Sequence, residues 1–151
     1  MAIADAVDVL EVQLLDPAAR VPERAREGDA GYDLRALEGF VLAPGARRLV
    51  GTGIALAIPP GLAGLVLPRS GLAARHGVTT LNAPGLIDPN YRGEVKVVLH
   101  NAGAEPYAAA AGDRIAQLLL VPFCSPSLAP VEALPPGAGG RGADGFGSSG
   151  R

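Results

Sequence analysis

The stretch Leu49–Pro68, with the sequence LVGTGIALAIPPGLAGLVLP, decides the fold class. It contains two apolar runs, Leu49–Ile58 and Leu62–Leu67, separated by the turn-favouring sequence Pro59-Pro60-Gly61. Short apolar runs bounded by Pro and Gly are typical of buried β-strands. The stretch therefore predicts strands joined by a tight connection.

The same pattern extends outward in both directions. Val7–Leu14 alternates with the period of a strand, and further short apolar runs lie between turns at Phe40–Leu42, Glu94–His100 and Ile115–Val121. A single short helix is predicted around Gly71–Arg75, with Ser70 as its cap and Gly77 at its end. We expect an all-β sandwich or barrel with one short helix.

The composition excludes several classes of protein. The 151 residues include 21 Gly and 14 Pro, too many helix-breaking residues for a helix bundle. Hydrophobic residues make up 48% and charged residues 19%, which favours a folded single domain over a disordered chain. The net charge of −2 provides no basic field, so a DNA or RNA polymer is not an expected partner.

Cysteine and histidine are scarce. Cys124 is the single cysteine, which excludes an intrachain disulfide. The chain has only two histidines, His76 and His100, so a zinc site with four His or Cys ligands is excluded as well. The segment Met1–Asp16 carries acidic residues where a secretory signal is basic, and no apolar run reaches the roughly 18 residues of a membrane span. We expect a cytoplasmic protein without a membrane segment.

Two segments look peripheral to the core. Arg20–Asp29 mixes charges of both signs and predicts a solvated loop. From Glu132 onward the chain is rich in Gly and Pro and has almost nothing to bury, so we expect it to be mobile when nothing is bound. We therefore divide the chain into a β-domain, 1–131, and a C-terminal arm, 132–151.

The arm contains a G-x-G-x-x-G pattern from Gly140, but this pattern indicates a dinucleotide site only between a strand and a helix. A true phosphate loop is excluded because Ser148 stands where its lysine belongs. Backbone N–H groups, the Ser148 hydroxyl and the Arg141 guanidinium still suit phosphate oxygens, and Phe146 suits stacking on a nucleobase. A plain flexible linker is the alternative.

Four segments of the β-domain carry candidate chemistry. Asn82–Glu94 reads as a hairpin with Asp88 and Tyr91 near its tip. Asp88 is a reasonable base for a water beside a polyphosphate, or a simple turn cap, and Tyr91 is a ring suited to lie against a sugar. Gln117 is the one polar residue within an apolar strand, unless it only faces outward at a sheet edge. Ala30–Leu34 and Pro68–Gly71 are weak signals by themselves.

Together these segments resemble the five motifs of the trimeric dUTPases, the deoxyuridine triphosphate nucleotidohydrolases. In chain order the matching segments are Ala30–Ala36, Pro68–Gly77, Asn82–Lys96, Gly112–Leu118 and Arg141–Gly150. Pro89-Asn90 departs from the small or acidic residues that relatives often carry there. The resemblance implies a jelly-roll-like β-fold, a homotrimer with active sites at subunit boundaries, and a C-terminal arm that covers each site.

The same resemblance implies an activity and the residues that perform it. The substrate is dUTP, the products are dUMP and pyrophosphate, and Mg²⁺ is held mainly by the substrate phosphates, with Asp33 touching its water shell. Asp88 orients and deprotonates the attacking water. At the phosphates, the implied contacts are Ser70 and Gln117 on the α-phosphate and Arg141, Gly147 and Ser148 on the γ-phosphate, while Arg69 and Gly71 shape the phosphate pocket and Lys96 adds positive charge. At the nucleoside, Asn82 and the backbone of Leu86 and Ile87 contact uracil, Tyr91 packs on the deoxyribose, and Phe146 stacks on the base.

Two alternatives remain open. The dCTP deaminase branch of the same superfamily shares the fold and relies on a glutamate in the pocket, and Glu94 fits either pattern. A non-catalytic jelly-roll protein that binds nucleotide without turnover is the other alternative. Asp88 argues against a pure binding role, because a carboxylate beside phosphates weakens binding.

Overall fold

The computed structural model describes residues 9–137, within which the chain forms eleven β-strands and one helix. In chain order the elements are β1 Glu11–Leu14, β2 Tyr32–Arg35, β3 Phe40–Leu42, β4 Arg47–Gly51, β5 Ile54–Ala57, β6 Leu62–Leu67, α1 Ser70–His76, β7 Val78–Thr80, β8 Gly85–Ile87, β9 Lys96–Asn101, β10 Tyr107–Ala109 and β11 Arg114–Pro122.

The strands pair antiparallel in four groups. The largest is a four-stranded sheet in the order β2-β11-β6-β8, and a second sheet has the order β4-β9-β7. β1 pairs with β5, and β3 pairs with β10. The expected all-β fold with one short helix is confirmed.

The core lies between these sheets because the strands bury alternate residues. β9 illustrates the pattern, with Val97 and Leu99 buried and their neighbours more exposed. Strands β2, β5 and β11 contribute Leu34, Ile54 and Leu118, each at most 1% exposed. One contiguous apolar cluster results, and burial of its side chains stabilises the sandwich.

The run Leu49–Ile58 forms two strands, because the chain turns a corner between β4 and β5. Gly53 has φ of 70°, a left-handed conformation that glycine adopts without a Cβ clash. The buried Thr52 hydroxyl donates to the Val95 carbonyl at 2.5 Å and fixes the corner. The first strand begins at Glu11, so Val9 and Leu10 of the predicted strand Val7–Leu14 are not part of it, and Val7 and Asp8 lie outside the described residues.

The helix spans Ser70–His76 and ends at Gly77, which has a left-handed φ of 67°. In this conformation the Gly77 N–H donates to the carbonyls of Ala73 and Leu72, which caps the helix. The predicted cap was wrong: Arg69 occupies the N-cap position and makes no side-chain capping bond, so Ser70 is the first helical residue. Over residues 9–137, no helix is long and apolar enough to cross a bilayer.

The segment Asn82–Glu94 is not the regular hairpin that its turn residues predicted. Its strand β8 pairs with β6, whereas β9, which follows the segment, pairs with β4 and β7. The segment therefore crosses from one sheet to the other. A turn at Asp88–Tyr91 makes that crossing, closed by the Tyr91 N–H donating to the Asp88 carbonyl at 3.0 Å.

Candidate functional site

The sheet order brings three of the candidate segments to one end of the four-stranded sheet. β11 lies between β2 and β6, so Gln117 is opposite Asp33 on one side and Leu67 on the other. β6 ends at Leu67, and the chain continues directly into Pro68–Gly71. Asp33, Arg69, Ser70 and Gln117 therefore meet although they are far apart in sequence.

Gln117 occupies a central strand, so the alternative interpretation, an outward-facing residue at a sheet edge, is wrong. The register between β11 and β2 shifts between Arg114 and Ala116, an irregularity that changes where the following side chains face. Gln117 is half-buried, and its Nε2 donates to the Pro68 carbonyl at 3.0 Å. A Cβ at Gly31 would lie 2.7 Å from Gln117 Oε1, which explains why glycine is found there.

Asp33 is held by two arginines. Arg69 Nε lies 3.3 Å from Oδ1 of Asp33, and Arg114 Nη1 donates to Oδ2 at 3.1 Å. Arg69 also donates from Nη1 to the main-chain carbonyl of Arg114 at 3.0 Å. The three side chains thus fix one another, and both guanidinium groups are oriented before any ligand arrives.

These groups line a cavity of about 410 Å³, which we call the sheet cavity. Its lining consists of Ala25, Asp29, Ala30, Gly31, Asp33, Arg69, Ser70, Gly71, Arg114 and Gln117. Sequence reasoning missed Asp29, in the loop interpreted only as solvated, and Arg114, three residues before Gln117. The charge at the start of an otherwise apolar strand was the available signal for Arg114.

The carboxylates at the sheet cavity fit a magnesium ion that is bound with a substrate. Within residues 9–137 no three His, Cys, Asp or Glu side chains converge into a metal cluster. Asp33 and Asp29 nevertheless line the cavity. Mg²⁺ is usually bound by one or two carboxylates, several waters and substrate phosphates, so this donor set suits it.

A second cavity, of about 340 Å³, lies beside the turn after β8, and we call it the turn cavity. Its lining combines apolar and charged side chains: Leu49, Leu86, Ile87, Asp88, Tyr91, Glu94, Val95 and Lys96. Asp88 is exposed at its rim. Pro89 and Asn90 occupy the two central positions of the turn, where Pro is favoured at the first, so the structure accommodates this departure from the family pattern.

Tyr91 is the half-exposed aromatic ring of the turn cavity. Its hydroxyl donates to the main-chain carbonyl of Glu94 at 3.0 Å. A Cβ at Gly93 would lie 2.6 Å from Tyr91 Cζ, so the ring depends on glycine there. Lys96, which sequence reasoning assigned to the phosphates, lies in the turn cavity and pairs with Glu94 Oε2 at 3.3 Å.

Of the three residues predicted to contact the edge of the uracil base, Leu86 and Ile87 line the turn cavity and Asn82 does not. Leu86 is exposed and Ile87 is buried, as expected for neighbours in β8. Asn82 is exposed in the turn before β8 and approaches Gly85, with Nδ2 3.3 Å from the Cβ position of that glycine. Asn82 is not among the lining residues of either cavity.

The two cavities lie at opposite ends of the sheet. Ile87 is opposite Gly64 on β6, whereas Gln117 is opposite Leu67. Asp88 and Gln117 are thus separated by about 13 Å along the strands and about 10 Å across them, from the usual strand rise and spacing. The cavities share no lining residue. A single phosphate group therefore cannot contact both Gln117 and Asp88 of the same chain.

The remaining predicted site residues, Arg141, Phe146, Gly147 and Ser148, lie outside the described residues. Of the arm, 132–137 are described, and they are exposed without regular secondary structure.

Comparisons with known proteins agree with one another. The family model described as dUTPase matches residues 18–150. The deoxyuridine 5'-triphosphate nucleotidohydrolase of Anaeromyxobacter sp. (strain Fw109-5) is 57% identical over 96% of this chain and 97% of its own. That of Tropheryma whipplei (strain Twist) is 47% identical over 94% and 97%, respectively.

Solved structures give the same result for the fold. The dUTPase of Staphylococcus bacteriophage 80alpha with dUpNHpp has a TM-score of 0.86 and 32% identity, covering 96% of this chain and 100% of that one. A mutant dUTPase from phage phi11 of S. aureus, described for its coordination of a structural Mg(II) ion, has a TM-score of 0.75 and 31% identity, covering 83% and 98%.

Proposed function

The chain belongs to the dUTPase family and hydrolyses dUTP to dUMP and pyrophosphate, and we propose that it does so where the sheet cavity of one subunit faces the turn cavity of another. One observation carries this proposal: Gln117 and Asp88, which both act at the α-phosphate, lie at opposite ends of one sheet, too far apart to meet at one phosphate group within a chain. A homotrimer with shared sites brings the two cavities together.

The sheet cavity binds the phosphates. Its arginines, Arg69 and Arg114, provide planar cationic donors of the kind that phosphate oxygens prefer. Ser70 and Gln117 add a hydroxyl and an amide for the α-phosphate, and Gly71 leaves room for close approach. Arg141, Gly147 and Ser148 of the arm bind the γ-phosphate.

The turn cavity binds the nucleoside. Leu86 and Ile87 present backbone groups to the edge of uracil together with Asn82, and Tyr91 packs on the deoxyribose. The ring leaves no space for a 2′-hydroxyl, and the narrow crossing segment excludes a methyl group at C5 of the base. Phe146 of the arm stacks on the other face of the base. Lys96 lies near the phosphates when the two cavities face each other.

Asp88 is the general base. Its carboxylate accepts a proton from a water molecule as the water oxygen attacks the α-phosphorus in line. The bond from the α-phosphorus to the bridging oxygen breaks, and pyrophosphate leaves with the electron pair. The proton on Asp88 then passes to solvent, and dUMP carries the oxygen from water.

Magnesium is the cofactor that this donor set suits. Bound with the substrate, Mg²⁺ neutralises charge on the phosphate oxygens. Asp33, held by Arg69 and Arg114, faces the cavity where the water shell of the ion would lie.

Exposed apolar side chains are available for contacts between copies of the chain. Within residues 9–137, large hydrophobic side chains that are at least half exposed occur at Val9, Val21, Val41, Leu49, Leu81, Leu86, Leu128, Val131 and Leu134. Apolar side chains scattered singly are also normal on a monomer, so the trimer is inferred from the separation of the two cavities. The arm, 132–151, forms the lid of the shared site, and 1–131 form the β-domain.

The free, exposed Cys124 suits a reducing compartment, and a cytoplasmic location is therefore part of the proposal.

The activity is tested by incubating the purified protein with dUTP and with dCTP, reading pyrophosphate and ammonia separately. Pyrophosphate from dUTP without ammonia from dCTP is the expected result. Ammonia from dCTP would instead show the deaminase alternative, and nucleotide binding without either product would show the non-catalytic one.

The shared site is tested by mixing two inactive variants, Asp88→Asn and Gln117→Ala, after separate unfolding and joint refolding. Hybrid trimers contain boundaries at which both mutated residues are intact, so activity returns to about a quarter of the wild-type rate under random assortment at a heterologous interface. No recovery in a refolded mixture, with wild type refolded in parallel as control, would place the complete site within one chain.

A further inference from the structure

Glu94 and Val95, which follow the turn at Asp88–Tyr91, are hydrogen-bonded to the corner between β4 and β5. The Gly53 N–H donates to Glu94 Oε1 at 3.0 Å, and the Val95 N–H donates to the Ile54 carbonyl at 2.8 Å. The buried Thr52 hydroxyl adds the bond to the Val95 carbonyl. Three hydrogen bonds therefore connect two consecutive residues to one rigid corner of the core.

Glu94 joins this corner to Tyr91. Its main-chain carbonyl accepts the Tyr91 hydroxyl at 3.0 Å, while its side-chain carboxylate accepts the Gly53 N–H. Tyr91 is 47% exposed, so its own packing restrains it only on one side. The position of the ring therefore depends on the position of Glu94.

The Glu94 carboxylate has little freedom. Its side chain is 24% exposed, and Oε2 lies 3.3 Å from Lys96 Nζ. A Cβ at Gly51 would lie 2.7 Å from Glu94 Oε1, so glycine at position 51 leaves the space that the carboxylate fills. Gly51 does not have a left-handed φ, so its backbone does not require glycine.

We propose that Glu94 is a positioning residue that selects 2′-deoxyribose over ribose by fixing the Tyr91 ring, an inference that rests on the proposed dUTP hydrolysis. A ring that excludes one hydroxyl group must be held to within a fraction of an ångström, and a loosely held ring moves aside at small cost. The carboxylate supplies that restraint from the corner, and the main-chain carbonyl transmits it.

The primary measurement is the ratio of kcat/KM for dUTP to that for UTP. Glu94→Ala removes the bond to Gly53, so the ratio falls about tenfold, the scale of one hydrogen bond to a charged group. Glu94→Gln keeps an oxygen that accepts the Gly53 N–H and stays close to wild type. Glu105→Ala removes an exposed carboxylate elsewhere on the surface and serves as the control with an unchanged ratio.

Gly51→Ala tests the same restraint without altering Glu94. The added methyl group displaces the carboxylate, because the flexible end of a side chain yields more readily than a strand. The ratio falls in the same direction as in Glu94→Ala. In the double variant Gly51→Ala/Glu94→Ala the two losses do not add, since the carboxylate that the methyl group displaces is already gone.

A double variant tests whether Glu94 acts on the dUTP/UTP ratio through the hydrogen bond of the Tyr91 hydroxyl. In a Tyr91→Phe background, which lacks the hydroxyl, Glu94→Ala changes the ratio no further. An equal loss in both backgrounds, or an Ala variant that retains the wild-type ratio, would overturn the inference. If Glu94→Ala does not assemble, Gly51→Ala and Glu94→Gln decide instead. Absence of dUTP hydrolysis by the wild-type protein would refute the proposed function, and this result is distinct from the two outcomes that overturn the inference about Glu94.

Discussion

The sheet cavity and the turn cavity are built in different ways. Asp33 and Gln117, in the sheet cavity, lie on adjacent paired strands, and Arg69 immediately follows another strand of that sheet. Asp88 and Tyr91, in the turn cavity, stand on a segment that crosses between sheets. In the proposed function, the first arrangement holds charges rigidly for the phosphates, the part of the ligand that is common to all nucleoside triphosphates. The second can be adjusted by a few hydrogen bonds, which suits discrimination between nucleosides.

The largest effect is expected in the turn cavity. Asp88→Asn removes the base and leaves the phosphate contacts of the sheet cavity intact, so kcat falls by roughly 10²–10⁴-fold while KM for dUTP changes little. Pyrophosphate release at saturating dUTP measures it. Asp16→Asn, whose contact is local to its own turn, is the matched control. Near-normal turnover of the Asp88 variant would remove this residue from the mechanism.

The sequence predicted the strands best where the signal is local. β3 and β6 coincide with the runs Phe40–Leu42 and Leu62–Leu67, because alternation and flanking turn residues are properties of neighbouring residues. The corner at Thr52–Gly53 interrupts an apolar run without Pro, and it is fixed by a bond to Val95, far away in sequence. The position of the corner therefore could not be predicted from the apolar run Leu49–Ile58 alone.

Candidate site residues were likewise predicted from the sequence where they lie in conspicuous segments. Asp88, Tyr91 and Gln117 stand out in their surroundings, and the structure places each of them at a cavity. Arg114 and Glu94 owe their proposed roles to contacts with Asp33 and Gly53, which depend on sheet register and on the corner between β4 and β5. Register is set by three-dimensional packing, so a single sequence does not provide it.

The next effect concerns the arm, which serves both cavities in the proposed site. Deleting 140–151 removes Arg141 and Ser148 from the phosphates and Phe146 from the base, so turnover falls about a hundredfold or more as clamping donors and water exclusion are lost. Melting temperature and assembly size stay unchanged, because the deleted sequence is rich in Gly and Ser and has few apolar side chains to bury. Unchanged turnover in an assembled protein would make the arm a linker, and loss of assembly would make it structural.

A smaller effect is expected for Arg69→Lys in the sheet cavity. Lysine keeps the charge but cannot reach both Asp33 and the Arg114 carbonyl with the geometry of a guanidinium. KM for dUTP rises about tenfold, the scale of one hydrogen bond to a charged group, and kcat changes less. Arg47→Lys, at an exposed position of β4, is the control. Equal KM values in the two variants would show that the fork geometry of Arg69 does not matter.

The smallest expected effect is on stability at alkaline pH, and it concerns Tyr107, which packs against the end of the helix whose first residues line the sheet cavity. Tyr107 in β10 is 8% exposed and lies 5.3 Å, between ring centroids, from His76 at the end of the helix that begins with Ser70. Burial, and next the charge of Asp113, raise the pKa of Tyr107 above its ordinary 10.0, with an opposing contribution from Arg69.

Because the folded-state pKa is raised, the folded chain keeps this proton after the unfolded chain has lost it. The contribution of Tyr107 is therefore fully present below about pH 10 and is lost as the pH rises through the folded pKa. Tyr107→Phe cannot ionise, so its free energy of unfolding falls less steeply above that pH than that of the wild type. Urea unfolding at a series of alkaline pH values measures both slopes, and the residues that titrate in both proteins cancel in the difference. Parallel slopes would show that Tyr107 ionises equally in the folded and unfolded chains.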